Sequence, residues 1–243
     1  MYLRDKEIKK KSKFFKFDNK QTNKNFKISF FKGWNRSLII KIFFRNSGKI
    51  NNFFIKKYFP NIFDKEKIFI TISGKPKFKS TKKNINLKKF DAISIFSDSY
   101  DYNFEGKKNT EFYIVSSEKF KKRKKKSIFF NFKKNIKKID IWGGQCISRP
   151  YSGIDLNVVM FNLKRGFKFN DQGHSNEQIT WLVSGSMSFY SGKYKDRLTN
   201  KKGIDIGPFH KHGGISNGAV GFDAFFPKRI EKKYQRKVDQ IKF

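Results

Sequence analysis

"NDQGHSNEQITWLVSGSM", residues 170–187, interrupts a text dominated by Lys, Phe, Ile and Asn with a His, two acids, two Gly and a Trp. Its second part, "QITWLVSG" (178–185), is rich in β-branched and aromatic residues, of strand length, and closed by Gly185. Its first part sets His174, Glu177 and Gln178 directly ahead of that strand. Further along, "GIDIGPFHK" (203–211) leads to His212. Two imidazoles and an oxygen donor brought together from strand ends are a donor set for a first-row metal with open positions. Such an ion polarises a carbonyl or carboxylate.

Outward from this stretch the same grammar recurs. "SLIIKIFF" (37–44), "KIFITISG" (67–74), "DAISIF" (91–96), "EFYIVSS" (111–117), "LNVVMFNL" (156–163) and "GFDAFF" (221–226) are short apolar segments separated by Gly, Asn, Asp and Ser. None carries a helical period over ten or more residues, so the expected class is all-β, a sandwich or barrel. "FITISGKPKF" (69–78) aligns with "TWLVSGSMSF" (180–189) at an offset of 111, placing Gly74 under Gly185. The same offset sets Asp91 under Lys202, Ile95 under Ile206 and Val115 under Phe226. A tandem repeat of one β module is the expectation. The expected organisation is a basic flexible arm at 1–25, a first β domain at 26–118 and a basic linker at 119–138. A second domain follows at 139–232, then a basic tail at 233–243.

The formal charge of +36 points towards nucleic acid or another polyanion. Phe, however, occurs 31 times, and Ala only at 92, 219 and 224. That is the signature of A/T-rich codons, which inflate Lys whatever the protein does. A single cysteine, Cys146, excludes an internal disulfide framework and fits a reducing, cytoplasmic compartment. No apolar run approaches the ~20 residues that span a bilayer, so no membrane partner is expected. "MYLRDKEIKKKSK" lacks the apolar region of a secretory signal.

"QGHSNEQITWLVSG" (172–185) resembles the first motif of the cupins, and "KKGIDIGPFHKHGG" (201–214) their second. The resemblance sets Gln172, His174, Gln178 and His212 on the metal-ligand positions, with Gln172 where many members have His. Lys201 and Lys202 replace the Gly-Asp that usually opens the second motif. "GFDAFFPKRIE" (221–231) is similar to the tail of the pectin-degradation cupins that linearise unsaturated uronates. In that subgroup the residues matching Asp223, Phe225 and Arg229 line the pocket. Arg suits a sugar carboxylate, and Asp a proton-transfer step. At the repeat offset the first domain has Phe63, Lys67 and Asp101 on ligand positions, and no His at all.

The resemblance implies two tandem cupin-type jelly-roll barrels, the N-terminal one degenerate and without metal ligands. It implies a divalent metal (Fe, Mn, Zn or Ni) in the second, acting on a small anionic substrate, a carboxylated sugar or related acid. The reaction would be a non-redox isomerisation, tautomerisation or lyase step. An Fe(II)-dependent dioxygenase is an alternative with the same ligand set. A basic RNA- or ribosome-associated binding protein is an alternative of another class, reading nucleic acid through the Lys-rich segments. A homodimer is compatible with either.

Overall fold

A computed structural model of the chain describes residues 12–22, 24–81, 83–96, 101–120, 127–141, 143–229 and 241–242. The described residues fall into two compact units. One gathers 12–17, 33–35, 137–141 and 143–229; the other holds the remainder. Both are built from antiparallel strands, as the segment grammar predicts.

The C-terminal unit rests on three strands of fifteen residues: Asn157–Asp171, Glu177–Ser191 and His212–Phe226. His212–Phe226 lies between the other two. The sheet runs in the order Lys13–Lys16, Lys202–Ile206, Glu177–Ser191, His212–Phe226, Asn157–Asp171, Cys146–Ser152 and Ile139–Ile141. Strands this long must bend to enclose a core, and register shifts at 165/168, 182/184 and 185/187 do that. Gly185 sits in the left-handed region (φ 76°), and a Cβ there would lie 1.8 Å from the Gly218 carbonyl oxygen. Only glycine fits both demands. Inside the bend pack Phe161, Leu163, Phe167, Leu182, Phe189 and Ile204.

The N-terminal unit has an eight-stranded sheet centred on Ser37–Phe44, Glu111–Ser117, Lys67–Ser73 and Asp91–Ile95. A four-stranded sheet carries Gly48–Asn51 and Tyr102–Gly106. The one α-helix among the described residues, Asn52–Tyr58, starts where the Asn51 side chain accepts from the Phe54 N–H at 2.9 Å. It ends before Pro60, which cannot continue it.

The pairing tests the repeat. Lys67 pairs with Ile95 and Gln178 with Ile206, both at the offset of 111. Lys67 also pairs with Ser116, whereas Gln178 pairs with Phe225, so the third strand is related by 109. Val115 therefore matches Ala224 rather than Phe226. The stretch from the second strand to the third is two residues shorter in the C-terminal unit.

All three of the expected basic segments, arm, linker and tail, contain strands. Within the stretch read as a flexible arm, Lys13–Lys16 pairs with Lys202–Ile206 and buries Phe15, and Asp18–Thr22 pairs with Phe26–Lys32. Within the stretch read as a linker, Ile128–Asn131 pairs with Asp91–Ile95, Phe130 being fully buried. Aromatic residues supply the apolar area that anchors Lys13–Lys16 and Ile128–Asn131. Residues 1–11, 121–126 and 230–240 lie outside the described residues. In the expected tail, Ile241–Lys242 pairs with Ile128–Asn131.

Candidate metal centre

The centre forms where one long strand ends and two begin. Asp171, the last residue of its strand, lies opposite His212, the first of its own. Gly173 then turns the chain at φ 97°, where a Cβ would press within 2.9 Å of the Phe209 backbone. The turn delivers His174 with its ring 5.5 Å from that of His212, nearly perpendicular. Phe189 stacks on His212, and Phe225 meets His174 edge-on at 5.4 Å. Asp171, His174 and His212 each present one candidate ligand atom within 4.8 Å of the other two.

The hydrogen bonds fix which lone pairs are available. His212 Nδ1 donates to the His210 carbonyl at 2.9 Å, leaving Nε2 as the acceptor nitrogen. The Gln178 amide nitrogen donates to Thr180 Oγ1 (3.0 Å) and Asp223 Oδ1 (3.1 Å), so Gln178 Oε1 turns to His174 Nε2 at 2.9 Å. That bond makes Nε2 the donor and leaves His174 Nδ1 a bare lone pair, buried and without a hydrogen-bond partner. The Thr180 hydroxyl donates to Asp223 at 2.6 Å.

Burial lowers the pKa of His174 to about 4, with the Arg229 charge adding to the effect. Burial also lowers that of His212. Both imidazoles are neutral at pH 7, the form that binds metals. For Asp171 burial alone would raise the pKa. The Gly173 N–H, 2.8 Å from its carboxylate, and the neighbouring His212, His174 and Arg229 outweigh it, and the net shift is downward. Burial pushes Asp223 up to about 6 against its bonds from Thr180 and Gln178.

Of the residues singled out in the sequence, His174, Gln178, His212, Asp223 and Phe225 converge here. Gln172 does not: it is exposed, and its neighbour Asp171 faces the imidazoles instead. Along an extended chain adjacent side chains point to opposite faces, so the residue beside the expected one is the one that enters. The acid in "NDQGH" was the available signal. Arg229 is buried with its guanidinium 5.3 Å over the Phe225 ring and 3.9 Å from the Asp171 carboxylate. Its backbone N–H donates to Asn157 Oδ1. At the matching N-terminal positions, Lys67 is buried and Asp101 exposed.

No family model matches the sequence, and no curated protein is similar to it in sequence. Solved structures do match in shape. A cupin 2 conserved barrel domain protein from Leptotrichia buccalis has a TM-score of 0.59 at 8% identity, over 85% of this chain and 91% of its own. Procruciferin, an 11S globulin from Brassica napus, reaches 0.70 at 5% identity, over 93% and 86%. An oxalate decarboxylase reaches 0.66 at 6% identity, over 90% and 78%. At such identities the likeness is one of fold, and fold does not choose between a storage globulin and an enzyme. The chain has the all-β cupin jelly-roll fold.

Proposed function

We propose that the C-terminal unit is a metal-dependent cupin enzyme that moves a proton on a small oxygen-bearing molecule, in an isomerase, tautomerase or lyase step without redox change. The observation that carries this reading is the convergence of Asp171 with the buried His174 and His212, one candidate ligand atom of each lying within 4.8 Å of the others. Two neutral imidazoles and an ionised carboxylate fit a divalent ion, and Gln178, bonded to His174 Nε2, holds that ring in place. Such an ion supplies Lewis-acid polarisation of a bound oxygen. Asp223 is suited to take and return the proton: it is half-buried beside the centre, held by Thr180 and Gln178, with its pKa pushed up by desolvation to about 6. Arg229 balances Asp171 and packs on Phe225, which supports a role behind the centre rather than as the clamp of a sugar carboxylate. The N-terminal unit is read as a second, ligand-free copy of the module serving as scaffold.

Metal analysis of the purified protein tests this. About one divalent ion per chain is expected in wild type. His174→Ala, His212→Ala and Asp171→Ala should each lose it while keeping their β circular dichroism. A metal-free wild type overturns the reading, and a metal indifferent to all three substitutions overturns the ligand set.

A second reading, binding of a phosphate polymer, draws on a groove of the N-terminal unit with Lys49, Lys75, Lys77 and Lys107 along its walls. Salt-sensitive retention of RNA by wild type, lost when these four become Ser, is the outcome it requires.

A further inference from the structure

A cavity of about 170 Å³ adjoins the centre. Phe161, Leu163, Phe167, Phe169, Met187 and Phe189 form its body. Phe167 and Phe169 are near parallel at 6.1 Å, and Phe169 meets Phe189 edge-on at 5.8 Å, so the wall offers ring faces as well as edges. Gln178, Thr180 and Asp223, hydrogen-bonded to one another, make a polar end, and Asp171, Asn170 and Ser148 are the other polar residues of the lining. Of the charged side chains lining it, both are acids, Asp171 and Asp223; no Lys or Arg is among them.

Size, wall and charge decide what such a space takes. An apolar cavity of about 150 Å³ accommodates benzene, whereas sites for larger ligands run from about 300 Å³ upwards. A hydroxyl-rich sugar acid would set several of its hydroxyls against Phe, Leu and Met, where they find no partner. Its carboxylate would face Asp171 and Asp223, with no Lys or Arg in the lining to receive it.

We propose that the cavity binds a small neutral aromatic molecule, its ring among the phenylalanines and a single hydroxyl or carbonyl oxygen directed to the polar end. The proposal rests on the reading of the C-terminal unit as a metal-dependent enzyme, since it names the substrate class of that centre.

Titration of metal-analysed protein with phenol, catechol and D-glucuronate, followed by ligand NMR, tests it. The two aromatics should saturate with dissociation constants between about 10 µM and a few mM, the range open to so few atoms; glucuronate should not bind. Met187→Trp, which fills the space, should weaken phenol at least tenfold with metal content unchanged. Should that variant misfold, alkylation of wild-type Cys146, which lines the cavity, must slow when phenol is present. Saturation by glucuronate, no saturation by either aromatic, or phenol binding indifferent to a folded Met187→Trp with Cys146 unprotected each overturns the proposal. Metal content is read separately, so aromatic binding by a metal-free wild type would refute the enzyme reading and leave the cavity assignment in place.

Discussion

Lys67 and Gln178 stand at or next to the start of strands that match at the offset of 111, each paired with an isoleucine of the next, and they do opposite things. Lys67 is wholly buried, and its ammonium donates to the carbonyls of Ile62 (3.1 Å), Phe63 (2.7 Å) and Lys65 (2.9 Å). Three donors meet three acceptors, so the charge ties down the turn before the strand. Gln178 instead bridges His174 and Asp223. Two residues on, the contrast repeats. Thr180 pairs with Asp223 across the C-terminal sheet, and Phe69 pairs with Ile114 at the same register in the N-terminal one. Phe69 then stacks on Phe104 at 4.3 Å. Where the C-terminal unit keeps polar groups and a cavity, the N-terminal unit packs rings. A few inward positions thus decide whether the strands of a unit enclose polar groups or rings.

Breaking the N-terminal arrangement should have the largest effect. Lys67→Met removes the ammonium from three buried carbonyls, which should cost the N-terminal unit about 3 kcal/mol or more. The urea transition of that unit, followed by amide exchange in Ser37–Phe44, should move to lower denaturant. Metal content should not change. A variant as stable as wild type would show that the carbonyls find other partners.

Transplanting the N-terminal residue comes next. Gln178→Lys sets an ammonium between His174 and Asp223 in place of a neutral amide. A fixed positive charge there opposes a metal ion and pairs with Asp223. Metal affinity should fall at least tenfold, with the fold kept because Asp223 compensates the new charge. Unchanged metal binding would mean that the ion sits out of reach of this position.

Which imidazoles come together was legible in the sequence, because His and its spacing from a strand start are matters of residue type. Which neighbour enters the site was not. Gln172 and Asp171 differ by one residue, and a one-residue difference in an extended chain exchanges the two faces. Only the pairing of Asp171 with His212 decides it. Arg229 follows the end of the last long strand, so its direction depends on tertiary packing on Phe225 that no local pattern encodes. The strands inside the lysine-rich stretches were hidden for a similar reason. Phe14 and Phe15 become a strand only because Ile204 and Gly203 stand opposite to receive them.

The smallest effect concerns a difference that the repeat makes visible. Glu66 and Glu177 match at the offset of 111 and are both buried, but Glu66 has Ser94 as its neighbour (3.4 Å), whereas Glu177 has Asp205. Burial first, and then the Glu177 carboxylate, raise the Asp205 pKa well above the ordinary carboxylate range. A group whose pKa is raised on folding holds its proton more tightly in the native state. Its stability contribution is therefore intact below the ordinary carboxylate pKa and is lost as pH rises through the native value. Asp205→Ser gives the C-terminal unit the N-terminal solution and removes the burden of a second buried acid. The variant should match wild type near pH 4 and exceed it by about 1 kcal/mol at pH 8, the scale on which replacing buried charge by neutral groups stabilises. Urea transitions of the C-terminal unit at the two pH values measure the difference. If the variant's advantage is the same at both, the acid pair is not what makes the two units differ in their response to pH.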